Sequence, residues 1–126
     1  MIRGYVTFAA LALTASMALA QDKGDSKPEE SCDGSTVQMV ECLSRLTATW
    51  DKRLNDAYQQ ALKDAASNEQ REQLRKAQRA WIAYRDANCL YYRMGEGTIA
   101  RLDAGECMRS MTESRAKELE GAGHPN

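Results

Sequence analysis

A long, regular spacing of apolar side chains in the first half of the chain constrains its fold more than any other feature. Between residues 39 and 62 they recur every three or four positions, as Met39, Leu43, Leu46, Trp50, Leu54, Tyr58, Ala61 and Leu62. This is the period of one face of an α-helix. Ser35 or Thr36 is suited to cap the start of this helix, and we expect it to end near Ala66.

A second helix is predicted over residues 69–94, after a break at Ser67 and Asn68 that also supplies a candidate N-cap. Its predicted buried stripe comprises Leu74, Ala77, Trp81, Tyr84 and Cys89, with Ile82 on one flank. Two glycines in the sequence GEGT at residues 95–98 favour a tight turn, because glycine readily adopts positive φ angles. We therefore expect the chain to reverse at this point.

A third helix is predicted over residues 99–119, with Gly105 inside it, so that a bent or two-part helix fits the sequence equally well. Its core candidates are Leu102, Cys107, Met108, Met111 and Leu119. The alternating pattern of strands does not occur in residues 21–126. The sequence thus predicts an all-α fold, an antiparallel bundle of about three helices, of which two are long and one is shorter or bent.

Residues 1–20 have the features of a cleavable signal peptide: Arg3, an uncharged run, and small residues before Gln21. The alternative is a retained membrane anchor, but the run is short and rich in Ala, Thr and Ser. We expect a flexible polar leader at residues 21–31, a helical domain at 32–120 and a disordered tail at 121–126. These features predict a periplasmic or secreted protein of a Gram-negative-type bacterium, without membrane attachment after cleavage.

All four cysteines follow the predicted signal peptide, at Cys32, Cys42, Cys89 and Cys107. An even number in a small exported chain is typical of two disulfides. No two are close enough for a C-x-x-C pair, and the single histidine is His124, so neither a metal site nor thiol redox chemistry is expected. The predicted reversals bring all four thiols to one end of the bundle. Three pairings remain open: Cys89 with Cys107 would clamp the turn, whereas Cys42 with Cys107 would tie the first helix to the third.

Charge and residue types disfavour several functions. Cleavage of the predicted signal peptide would remove one charged residue, Arg3, and leave 16 basic and 18 acidic side chains, a formal charge of −2. Nucleic-acid binding, in contrast, usually requires a basic surface. A Ser-His-Asp triad is not expected with one histidine in the tail, and the GEGT turn lacks the lysine of a phosphate-binding loop. We therefore predict no enzyme activity and no cofactor.

Residues 77–89 contain the densest run of polar and aromatic side chains. Gln78, Trp81 and Arg85 fall in one helical sector, and contacts with Asp51 and Asn55 of the first helix would form a hydrogen-bonded layer. Such a layer could be a ligand pocket or a structural network that fixes the register of the helices. We favour the structural interpretation.

This run also carries a family resemblance. It reads AQRAWI at 77–82 and YRD at 84–86, followed by Cys89, the GEGT turn, Cys107 and Thr112 with Arg115. In the first helix, Cys32 and Cys42 precede Leu54, Asn55 and Tyr58. Over residues 32–119 the chain resembles the LprI-type lysozyme inhibitor family. We interpret the matching positions as structural: Asn55, Tyr58, Gln78, Arg79, Trp81, Tyr84, Arg85, Asp86, Thr112 and Arg115.

The resemblance implies an exported protein that binds a lysozyme and blocks it. A candidate partner-binding loop is formed by Gly95, Glu96, Gly97 and Thr98, in which the Glu96 carboxylate would meet the basic surface of the enzyme. The alternative is a periplasmic protein-interaction or envelope-stress protein with no effect on lysozyme. A cell-wall hydrolase is a third, less favoured hypothesis.

Overall fold

Three α-helices make up nearly all of the computed structural model, which describes residues 31–121. Helix α1 is Thr36–Asp64, α2 is Asn68–Arg93 and α3 is Ile99–Gly121. No strand occurs within these described residues. The fold is therefore all-α with three helices, as predicted. The predicted signal peptide, the leader through residue 30 and the tail from residue 122 lie outside the described residues.

Serine side chains fix the starts of the first two helices. Ser35 caps α1: its hydroxyl accepts a hydrogen bond from the Gln38 backbone N–H at 3.4 Å, and the Gln38 side chain accepts one from the Ser35 N–H at 2.9 Å. Ser67 caps α2 by accepting from the Gln70 N–H at 3.1 Å. Each cap satisfies backbone donors that have no partner within the helix. Of the candidates in the sequence, Ser35 and Ser67 are thus the caps.

Helix α3 runs without a break through Gly105. A Cβ atom at position 105 would lie 3.2 Å from Cδ1 of Leu43, so the missing side chain allows α1 and α3 to approach closely. Helix packing therefore accounts for this glycine, and the alternative of a bent or two-part helix is not what the structure shows.

Helix α3 is the central element, because both α1 and α2 pack along it while direct contact between α1 and α2 is minimal. The main buried cluster joins Leu54 and Ala57 of α1 to Ala116 and Leu119 of α3. Half-buried side chains pack against this cluster: Trp50, Tyr58, Leu74 and Trp81. In the up-down-up order of the chain, α1 and α3 are parallel and α2 runs antiparallel to both.

Two disulfides brace this arrangement, with Cys32 bonded to Cys42 and Cys89 bonded to Cys107. The first fixes the chain before α1 to the second turn of that helix. The second joins α2 to α3 and closes the turn between them. Of the three pairings left open by the sequence, this is the one that clamps the turn.

The predicted stripe of α2 was partly wrong. Cys89 is buried and Leu74 and Trp81 are half-buried, but Ala77, Tyr84 and Ile82 are exposed. The reason is that α2 packs mainly on α3 and touches α1 at few points, so its buried face is narrower than in a bundle where every helix packs closely on the other two. In α1 and α3, all the predicted core positions are buried or half-buried.

Candidate interaction site

The turn between α2 and α3 projects from the end of the molecule where the helices are clamped. All four residues of this reversal loop, Gly95, Glu96, Gly97 and Thr98, are exposed. Gly97 has a φ of 73°, a conformation that favours glycine. These are the residues predicted as a partner-binding loop, and the structure places them together on the surface.

Short-range contacts hold both ends of the reversal loop. The backbone N–H of Met94 donates to the Leu90 carbonyl at 3.0 Å, and that of Gly95 to the Tyr92 carbonyl at 3.1 Å. On the α3 side, the Arg101 N–H donates to the Thr98 carbonyl at 3.1 Å. The loop is thus an ordered connection between two helix ends.

A sulfur-rich cluster lies behind the loop. The Met111 sulfur is 3.9 Å from Sγ of Cys89 and 3.8 Å from Sγ of Cys107. The side-chain amide of Asn88 contacts the sulfurs of Cys107 and Met111, each at 3.4 Å. Because the cystine is buried in this cluster, the ends of α2 and α3 are held together near the loop.

Large apolar side chains surround the loop but contribute nothing to the core. Tyr91, Met94 and Ile99 are 75%, 77% and 58% exposed, and Leu90 is also exposed. The sequence interpretation missed these residues as surface features. Their signal was present in the sequence, since Leu90 and Tyr91 lie four and three positions before Met94 and none of the three belongs to the predicted buried stripe.

A buried polar pair joins α2 to α3 at mid-height. Gln78 and Arg115 are only 6% and 8% exposed, and the Arg115 Nε donates to the Gln78 side-chain oxygen at 3.1 Å. Arg115 also forms an ion pair with Glu118 at 2.8 Å. One buried polar contact of the predicted layer is therefore made with α3, whereas the sequence interpretation expected a partner on α1.

The other polar motif residues make local contacts. Arg85 lies over the ring of Trp81 at 5.0 Å and donates to Asp86 at 3.0 Å. Asn55 donates to Asp51 at 3.2 Å within α1. The predicted hydrogen-bonded layer between α1 and α2 does not form, because α2 packs mainly along α3 and makes few contacts with α1.

The remaining motif residues divide between core and surface. Thr112 is completely buried and its hydroxyl donates to the Met108 carbonyl at 2.6 Å, while Tyr58 packs on the main cluster. Arg79 and Tyr84, in contrast, are exposed. The structure thus offers no packing role for these two side chains.

A network of ion pairs along α3 was not predicted from the sequence. Arg109 bonds to Glu106 and Glu113, and Glu113 also bonds to Lys117. The hydrogen bond from Lys117, followed by that from Arg109, holds the pKa of Glu113 below its usual value, although burial opposes this shift. The carboxylate of Glu106 is the main cause of a raised pKa of Arg109.

Two open grooves follow from the separation of α1 and α2. One, of about 450 Å³, has α1 as one wall, Arg85 on the other side and Gly105 with Met108 at its floor. The other, of about 410 Å³, lies near the α1–α2 connection and includes Leu74. Neither contains a group of titratable side chains arranged for catalysis. Among residues 31–121, no set of three or more His, Cys, Asp or Glu side chains could hold a metal ion.

None of the helices formed by residues 31–121 is long and apolar enough to span a bilayer.

Comparison with known proteins gave one match. The family model described as lysozyme inhibitor LprI matches residues 27–119, which include α1, α2, all but the last two residues of α3, and both disulfides. No curated protein and no solved structure matches the chain significantly.

Proposed function

Because this chain belongs to the LprI lysozyme inhibitor family, we propose that it is exported, binds a lysozyme and blocks the hydrolysis of peptidoglycan. The family match over residues 27–119 is the observation that carries this proposal. It also favours a binding function over a catalytic one, since the family is described by inhibition of an enzyme.

The reversal loop is the part of the surface best suited to make the inhibitory contact. It is narrow, exposed and fixed at both ends by hydrogen bonds and by the nearby Cys89–Cys107 disulfide. A loop that is ordered before binding loses little conformational entropy when it enters a cleft. The proposal is that this loop covers or enters the sugar-binding cleft of the lysozyme.

Glu96 supplies the charge for this contact. Its side chain is exposed at the tip of the loop, and it forms no ion pair within the described part of the chain. A carboxylate in this position would meet the basic surface of a lysozyme, and such complementarity mainly favours rapid and specific association. Ile99, exposed just after the loop, would add apolar contact area.

Substitution of Glu96 tests the loop. We expect Glu96→Ala to weaken inhibition of peptidoglycan lysis by about tenfold, corresponding to about 1.4 kcal/mol of binding free energy. Asp64→Ala is the matched control, because it removes the same charge from an exposed position at the end of α1, far from the reversal loop. Equal potency of Glu96→Ala and the wild type would contradict the loop assignment while leaving lysozyme inhibition intact.

A further inference from the structure

A second apolar stripe runs along the exposed side of α2. Its residues follow one another at intervals of three or four positions or lie adjacent, and all are exposed: Ala80, Ala83, Tyr84, Ala87, Leu90, Tyr91 and Met94. We call this set the α2 outer stripe. Packing on α3 does not explain it, since the face of α2 toward α3 carries Leu74, Gln78 and Trp81 instead. Exposed apolar surfaces of this extent commonly mark binding sites.

The spacing of the residues in the outer stripe is symmetric about Ala87. Two such helices placed antiparallel around a two-fold axis through Ala87 bring Ala80 opposite Met94 and Ala83 opposite Tyr91. They also bring Tyr84 opposite Leu90, and Ala87 opposite its own copy. Small side chains thus face large ones in two of these four pairings, Tyr84 packs against Leu90 in the third, and the two small Ala87 side chains allow close approach at the axis. A self-complementary surface is what a two-fold interface between identical chains requires.

The charges at the two ends of the stripe support the same pairing. No charged residue belongs to the stripe. Lys76 and Arg79 lie beside its beginning, and Glu96 follows its end, where Arg93 is also exposed. The antiparallel arrangement brings the basic end of one copy to the level of the reversal loop of the other. Neither Arg79 nor Glu96 has an ion-pair partner within residues 31–121, so both are free to pair between copies.

We propose that the α2 outer stripe is a self-association surface on which a second copy of this chain binds antiparallel, with Ala87 at the two-fold axis. The stripe is about 21 Å long at 1.5 Å per residue. It offers less area than the roughly 800 Å² per partner of a standard stable interface, so the dimer is reversible and depends on concentration.

Sedimentation equilibrium of the exported chain tests this proposal without any lysozyme, so the result is independent of the proposed function. As the protein concentration is raised from low to high micromolar, the apparent mass of the wild type is expected to rise from that of a monomer toward that of a dimer. Ala87→Arg should remain a monomer throughout, because two cations would meet at the axis. Ala48→Arg is the matched control, since Ala48 is an exposed alanine on α1. Circular dichroism checks that each variant keeps its helices.

Charge reversal tests the direction of pairing. Arg79→Glu and Glu96→Arg should each reduce association, and the double variant should restore it, because the charges are then exchanged between the copies. A double variant no better than either single one would overturn the antiparallel arrangement. A wild type that stays monomeric, or an Ala87→Arg variant that associates like the wild type, would overturn the proposal. If the wild type is monomeric and Ala87→Arg loses lysozyme inhibition, the stripe would be a lysozyme-binding surface instead.

Discussion

At the scale of single residues, the pair of Gln78 and Arg115 is the contact most sensitive to substitution. Gln78→Leu would remove the acceptor of the buried Arg115 Nε and leave that charged donor without this hydrogen bond. A buried donor without a partner costs about 1–3 kcal/mol, so we expect the free energy of unfolding to fall by about that amount.

Urea unfolding of Gln78→Leu measures this loss. Gln73→Leu is a suitable control, because it makes the same change at an exposed position of α2 and should alter stability by less than about 0.5 kcal/mol. Similar losses for the two variants would show that the buried hydrogen bond is not what stabilises the α2–α3 contact.

The lowered pKa of Glu113 predicts a dependence of stability on pH. A carboxyl group whose pKa is lower in the folded than in the unfolded state stabilises the fold above the unfolded value, about 4.3, and this contribution is lost as the pH falls through the folded pKa. The wild type should therefore lose stability below about pH 4. Glu113→Gln should lose less, because its side chain does not titrate.

Unfolding curves of the wild type and Glu113→Gln at neutral and acidic pH measure this difference. Glu41→Gln, at an exposed position outside the Glu113 network, controls for the loss of a carboxylate as such. Parallel pH profiles for the wild type and Glu113→Gln would contradict a stabilising role for the contacts with Lys117 and Arg109.

At the scale of helices, the two disulfides are expected to differ in their effect. The Cys89–Cys107 bridge joins two helices across 18 positions, whereas Cys32–Cys42 spans 10 and joins no two helices. Replacing Cys89 and Cys107 by alanine should cost about 2–4 kcal/mol. Loop-closure entropy alone makes this loss of stability about 0.5 kcal/mol larger than the loss caused by replacing Cys32 and Cys42. The loss of the link between α2 and α3 increases the difference further.

Thermal unfolding of the two double-alanine variants tests this ranking. We expect the lower midpoint for the variant without Cys89 and Cys107. If instead loss of Cys32 and Cys42 were the more damaging, attachment of the chain before α1 would stabilise the fold more than the clamp between α2 and α3.

The existence of each helix could be predicted from the sequence, because apolar spacing, serine caps and glycine turns act locally. Ser35, Ser67 and the glycines at 95 and 97 lie where the predicted boundaries required them. Gly105 could not be interpreted in this way. Its effect depends on Leu43, which is 62 positions away in the sequence and becomes its neighbour only when α1 and α3 pack together.

At the scale of the whole molecule, the central position of α3 determines which faces are left open. Periodicity shows that a helix has an apolar face, but it does not show which helix will cover that face. For this reason the sequence predicted Tyr84 in the core and a polar layer between α1 and α2, while the structure packs α2 mainly against α3. The same arrangement leaves the outer stripe and the reversal loop exposed.

The proposed function is tested most directly by a titration of the chain without residues 1–20 against lysozymes of different types, with peptidoglycan lysis as the readout. We predict that lysis by at least one lysozyme falls with added protein and reaches a plateau when one inhibitor is present per enzyme. Undiminished lysis by every lysozyme at saturating protein would contradict the proposed function.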